Sequence, residues 1–193
     1  MSRIIAGSRG GRRLVVPAGA ATRPTTDRVR EAVFSAIAAW AGTAAEPPAE
    51  ALRGRSFADL YAGSGAAGLE AASRGAAPVV LVEADRRAAA AIARNLADLG
   101  LAAQLRRERV EQVLSSRPAA PFDVVFADPP YEVGTDRVNQ LLARLHQAGW
   151  AGPDSLIVVE RARRSEPPRW PVGFEGGWAR HYGDTTVYFG CAG

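Results

Sequence analysis

Residues Phe122–Tyr131, FDVVFADPPY, constrain the fold more than any other stretch. Val124, Val125 and Phe126 form an apolar, β-prone run too short for a typical helix, which predicts a buried central strand. Asp128, Pro129, Pro130 and Tyr131 follow at once. Two prolines withhold backbone N–H donors and bar both continued strand pairing and an immediate helix. The backbone therefore leaves a sheet at Asp128 as a rigid extended segment. In open α/β sheets the carboxyl ends of the strands are where ligands bind.

Ser56–Gly68, SFADLYAGSGAAG, is the second anchor. A strand is expected to end near Asp59 and Leu60, and a helix to begin near Ala66. Gly63, Ser64 and Gly65 turn the chain between them, and glycine permits both positive φ and close approach of a ligand. The free N–H groups of the following helix suit a carboxylate or phosphate. Pro78–Glu83, PVVLVE, reads as the next strand, and Glu83 lies 20 residues after Gly63. A carboxylate there can take both hydroxyls of a ribose, in NAD or in S-adenosylmethionine (SAM) alike. Asp59 favours SAM, because dinucleotide sites usually carry an apolar residue before the glycine turn. Its expected role is to hold the cofactor's amino-acid end through water or backbone.

The rest of the chain alternates strands and helices. Arg3–Val16 reads as a hairpin with a basic tip, and a helix capped by Thr26 or Asp27 follows, with Val29, Val33, Ile37 and Trp40 on one face. Residues 42–54 are rich in Ala, Pro and Glu and are expected to be a flexible connector. Arg86–Leu99 is a helix stopped by Gly100, and Gln104–Arg107 a short edge strand. The turn after it, Glu108-Arg109-Val110, is expected to meet an adenine through backbone or Val110. Thr135 is expected to cap a helix with Val138, Leu141, Leu142 and Leu145 on its apolar stripe. Ser155–Glu160 is another buried strand, and Trp178–Phe189 a closing hairpin that turns at Gly183-Asp184. The fold class is α/β: a doubly wound, seven-stranded, mostly parallel sheet with one antiparallel strand, preceded by a β-hairpin and helix. The expected division is 1–41 as a basic extension, 42–54 as linker and 55–193 as catalytic domain.

Charge adds a partner. All 24 basic residues are Arg; residues 1–30 hold seven of them and one acid, net +6, while the remainder is net −2. A basic arm on a slightly acidic body suits nucleic acid. The lone Cys191 excludes an intramolecular disulfide and a multi-cysteine metal site, and His146 and His181 lack ligand spacing. No metal is expected. No apolar run is long enough to span a membrane and the first residues lack a secretory core, so a cytoplasmic protein is expected.

Asp128–Tyr131 resembles the (Asp/Asn)-Pro-Pro-(aromatic) motif of SAM-dependent amino-group methyltransferases, which share the class I, Rossmann-like architecture. An exocyclic amine is a poor nucleophile because its lone pair is delocalised into the ring. Asp128 and the Pro129 carbonyl can accept its hydrogens and help localise that pair, and Tyr131 can stack on the base. RIIAG, RPTTDRVRE, DLYAGSGAAGLEAASRGA, VEAD, DVVFADPPY and YGDT together resemble the RsmD family over residues 3–190. That family methylates N2 of one guanine in bacterial 16S rRNA with SAM.

The resemblance implies catalysis by Asp128, Pro129, Pro130 and Tyr131 through direct, in-line transfer. It implies SAM binding by Asp59, Tyr61, Ala62, Gly63, Ser64, Gly65, Glu83, Ala84, Val110 and Asp128. RNA contacts are expected from Arg3, Arg9, Arg12, Arg13, Arg23, Thr25, Arg28 and Tyr131. The expected partner is 16S rRNA in the 30S subunit or an assembly intermediate, met by a monomer. An adenine N6-methyltransferase, a nicotinamide-dependent oxidoreductase and a non-catalytic RNA-binding assembly factor are the alternatives.

Overall fold

The computed structural model describes residues 2–17 and 26–192. Its centre is a seven-stranded sheet: β3 (Phe57–Leu60), β4 (Val79–Val82), β5 (Gln104–Arg106), β6 (Val124–Ala127), β7 (Leu156–Ala162), β8 (Phe174–Tyr182) and β9 (Thr185–Ala192). The strand order is β5-β4-β3-β6-β7-β9-β8. β3 to β7 pair in parallel, and β9 runs antiparallel to both its neighbours. This is the doubly wound class read from the sequence. β3, β4 and β6 are buried at every position, as their unbroken apolar runs require of strands covered on both faces.

Alternation along the strands divides the core in two. Phe57, Leu81, Val124, Phe126, Leu156 and Val158 face α1 (Asp27–Trp40), α2 (Ala66–Ser73) and α3 (Arg86–Leu99). Ala58, Leu60, Val82, Val125, Ala127, Ile157 and Val159 face α4 (Val110–Val113) and α5 (Thr135–Gln147). The α5 stripe of Val138, Leu141, Leu142 and Leu145 is buried there. Gly134, not Thr135, occupies the cap position of α5 and supplies no side-chain bond; Thr135 is already helical.

The N-terminal hairpin, β1 (Ser2–Arg3) with β2 (Arg13–Leu14), lies on the first face, and Ile4 and Leu14 join its core. Each buried aliphatic side chain contributes about 1.5–3 kcal/mol. The fully buried Glu70 of α2 accepts the Ile5 N–H at 2.7 Å, the Ala6 N–H at 3.0 Å and the Arg74 Nε–H at 2.8 Å. Gly7 has φ +86°, and a Cβ there would stand 2.0 Å from the Ser73 carbonyl oxygen, so this turn admits only glycine.

Residues 42–54 depart from the expected flexible connector. Leu52 is buried in the same core, and its N–H donates to the Arg74 carbonyl at 2.9 Å. Thr43 Oγ1 donates to the Ala51 carbonyl at 2.6 Å. An Ala-, Pro- and Glu-rich composition does not keep a segment loose when one leucine and its backbone donors find a packed surface. The closing hairpin is also longer than Trp178–Phe189; it runs from Phe174 to Ala192, with an irregularity between Glu175 and Trp178. The indole of Trp170 lies against Gly177 and Gly190, where a Cβ would come within 2.8 Å of the ring.

Candidate active site

Two cavities open at the carboxyl edge of the sheet. The first, about 610 Å³, lies where the strand order reverses between β3 and β6. Asp59, Tyr61, Ala62, Gly63, Ser64, Glu83, Ala84, Val110 and Asp128 all line it. Gly65 does not; it sits behind the wall as the cap of α2, with φ +82°, close to Ile92, Leu69 and Leu81.

Local chemistry explains the shape of this turn. Gly65 has no side chain to cap α2, and Asp59 supplies the missing acceptor from β3: Oδ2 accepts the Gly68 N–H at 2.7 Å. Gly68 must be bare, because a Cβ would meet Leu81 at 2.8 Å and the Asp59 Cβ at 3.2 Å. Burial pushes the Asp59 carboxyl up to about 7; the Gly68 bond opposes the rise and Glu83 adds to it. Glu83 accepts the Gly63 N–H through Oε2 and the Asp85 N–H through Oε1, both at 2.7 Å. The carboxylate is thus fixed in orientation, with a further lone pair on each oxygen. Tyr61 holds φ +62°, a left-handed conformation that costs a non-glycine residue about 1–2 kcal/mol. Burial, then Glu111, push its hydroxyl up to about 12, and Arg137 opposes them.

The second cavity, about 670 Å³, lies beyond β6. Asp128, Pro129, Pro130 and Tyr131 form one wall; Thr26, Arg28, Val29 and Ala32 of the α1 entrance form another. Glu160, Arg161 and the β8–β9 turn complete it. Asp128 and Pro130 line both cavities, so the Asp-Pro-Pro segment is the shared wall between them. The Pro130 carbonyl accepts the Val133 N–H at 2.9 Å, which folds the chain back after the prolines. Tyr131 is 57% exposed at the mouth, free to cover a planar ligand. The Arg161 guanidinium is buried; desolvation lowers its pKa and the nearby Asp128 raises it.

The arm residues are not gathered in one place. Arg28 is exposed and lines the second cavity. Arg3 is exposed and pairs with Asp27 at 3.1 Å beside it, and Arg13 is exposed. Arg9 and Arg12 point elsewhere: they donate to the Leu99 and Asp98 carbonyls at the C-terminal end of α3. That end is on the order of 20 Å along the helix from the edge where Asp128 lies. Four carbonyls are left over at any helix end, and these guanidinium groups satisfy two of them. Arg9 and Arg12 therefore sit away from the edge at Asp128, and Arg12 is exposed there. Arg23 and Thr25 lie outside the described residues.

Several lining residues went unread in the sequence. Phe34, Val33 and Arg30 of α1 reach the first cavity, as do Val16 and Pro17. Glu160 reaches the second. An acid directly after the buried run Leu156–Val159 was the available signal. Among the described residues no group of three or more His, Cys, Asp or Glu is placed to hold a metal ion, and no helix is long and apolar enough to cross a membrane.

A glycine turn at the switch point, an acid ending the next strand and an Asp-Pro-Pro-Tyr wall on this sheet define a class I methyltransferase. Solved structures share the fold. Escherichia coli yhhF, described as a candidate methyltransferase, superposes with TM-score 0.82 at 32% identity, over 98% of this chain and 97% of that one. A Thermus thermophilus 16S rRNA N2 methyltransferase, solved with AdoMet and guanosine, has the fold at TM-score 0.66 and 21% identity, over 92% of this chain and 45% of that one. The family model described as Conserved hypothetical protein 95 matches residues 2–191. Ribosomal RNA small subunit methyltransferase D of E. coli is 34% identical over 180 residues, 93% of this chain and 82% of that protein. Its Haemophilus influenzae counterpart is 33% identical over 177 residues, 88% and 85% of the two chains. The chain belongs to this family, the RsmD family.

Proposed function

We propose that this protein transfers the methyl group of SAM to the exocyclic N2 of one guanine in 16S rRNA of the small ribosomal subunit. The observation that carries the reading is the meeting of two cavities at Asp128 and Pro130. In this reading the first takes a nucleoside cofactor and the second the base. The relatives named above act on small-subunit rRNA.

The residues present fit SAM. Glu83, already oriented by two N–H donors, has lone pairs for the ribose hydroxyls. Val110 would give the adenine an apolar wall, and the 61–64 turn would hold the amino-acid end; all of them line the first cavity. Asp59 acts through backbone, by holding the first turn of α2. SAM, when bound, supplies an electrophilic methyl group.

The chain's own work is to present the nucleophile. Asp128 and the Pro129 carbonyl accept the two amine hydrogens and fix the amine at the shared wall. Tyr131 stacks on the base, which must first leave its helix or loop stack. Arg28, Arg3 and Arg13 meet the phosphates around it. Positioning of this kind supplies several kcal/mol of a barrier, and the proton leaves once alkylation makes the amine acidic. The test is transfer from labelled SAM to 30S subunits and to naked 16S rRNA from cells lacking the enzyme, followed by nucleoside analysis. N2-methylguanosine is expected. Asp128→Ala is expected to lower kcat about 10²–10³-fold, as loss of one well-placed group at a reacting centre does. N6-methyladenosine as product would overturn the substrate.

A further inference from the structure

We infer that Glu160 selects guanine over adenine by accepting the N1–H that adjoins the amine held by Asp128. The inference rests on the proposed N2 reaction and names what recognises the base.

The register places the two acids side by side. β6 and β7 pair in parallel as far as Ala127 opposite Val159, so the next residues, Asp128 and Glu160, are level. Adjacent strands lie about 4.8 Å apart. Both acids continue the face of Phe126 and Val158, the face covered by α1, because side chains alternate. Both line the second cavity, and Glu160 is only 7% exposed. Strand β7 runs on to Ala162 beyond the end of β6, so Glu160 is held by the pairing of its neighbours with β9 and not by a mobile loop. Arg28, Arg161, His181 and Asp184 line the same cavity and set its charge.

Base chemistry supplies the rest. Guanine presents neighbouring donors, N1–H and N2–H, on one edge. Two carboxyl groups side by side, with Arg28 and Arg161 lining the same cavity, present acceptor oxygens that match that edge. Adenine with its amine at Asp128 would turn the bare N1 lone pair toward Glu160, acceptor against acceptor. An ionised carboxylate has about four acceptor sites, so a contact within the protein leaves room for a base N–H.

The test pairs a side chain with one functional group of the base. The nucleotide methylated by wild type is replaced in reconstituted 30S subunits by 2-aminopurine, which keeps the N2 amine but leaves N1 unprotonated. Wild type is expected to prefer guanine. Glu160→Gln is expected to lower kcat/KM on guanine about 10–100-fold, the effect of one hydrogen bond to a charged group. On 2-aminopurine the same variant is expected to exceed wild type, because the amide can turn an N–H toward N1. Glu160→Asp keeps the acceptor and is expected to keep the guanine preference at reduced kcat/KM. An equal loss by Glu160→Gln on both bases, or loss of preference by Glu160→Asp, overturns the inference. If wild type makes no N2-methylguanosine, the proposed reaction itself fails, and that result is separate from either.

Discussion

Replacing Asp59 by Asn tests the buried acid at the centre of the cofactor turn. Asp59 is 1% exposed, and burial raises its carboxyl from the ordinary 3.8 to about 7 in the folded protein. Below pH 4 both folded and unfolded chains hold the proton, and Asp59 adds no pH dependence. Between about 4 and 7 the folded chain keeps the proton while the unfolded chain loses it, so stability falls as pH rises. Above 7 both are ionised and the loss is complete. Each pH unit in that window is worth about 1.4 kcal/mol. From pH 5 to pH 8 the wild type therefore loses about 3 kcal/mol through this group. Asn cannot ionise, yet its Oδ1 can still accept the Gly68 N–H. Urea unfolding of both proteins without cofactor at pH 5, 6, 7 and 8 gives the difference directly. The Asn variant should gain about 3 kcal/mol relative to wild type across the series. A stability difference that stays constant with pH would refute the argument, because it would show Asp59 ionised throughout in the folded chain.

Glu70→Ala leaves the Ile5 and Ala6 N–H groups and the buried Arg74 guanidinium without their acceptor. It should destabilise the protein by about 3–5 kcal/mol in chemical denaturation. Gly7→Ala forces a Cβ into the Ser73 carbonyl at positive φ and should cost about 2–4 kcal/mol, read as a lowered Tm. Tyr131→Ala removes an exposed ring from the mouth of the second cavity and should raise the KM for RNA about 10-fold or more, with SAM affinity unchanged by calorimetry.

The chain's local chemistry already contained much of the site. Two prolines after a four-residue apolar strand can only end that strand, and glycines before an alanine-rich helix can only turn the chain there. Asp128, Gly63 and Glu83 were legible because each sits at a strand end, where short-range rules decide both backbone and exposure. The arm was harder. Its charge is visible in the sequence, but charge density does not say which arginines meet a ligand. Arg28 faces the second cavity because Thr26 caps α1 at that edge. Arg9 and Arg12 reach the carbonyls of α3 because Glu70 docks the hairpin along α2. That choice depends on residues 60–90 positions away.

Sequence alone determined the doubly wound sheet, the glycine turn, the strand that ends in Asp-Pro-Pro-Tyr and the basic bias of the first 30 residues. These rest on φ limits, missing N–H groups and hydrophobic period, all of which act between near neighbours. Tertiary structure alone decided that Leu52 anchors residues 42–54, that Asp59 caps α2, and that Asp128, just past the end of β6, shares a cavity with Glu160 of β7. Those facts come from strand register and from which buried donor meets which acceptor, and both are settled only when distant segments share one core.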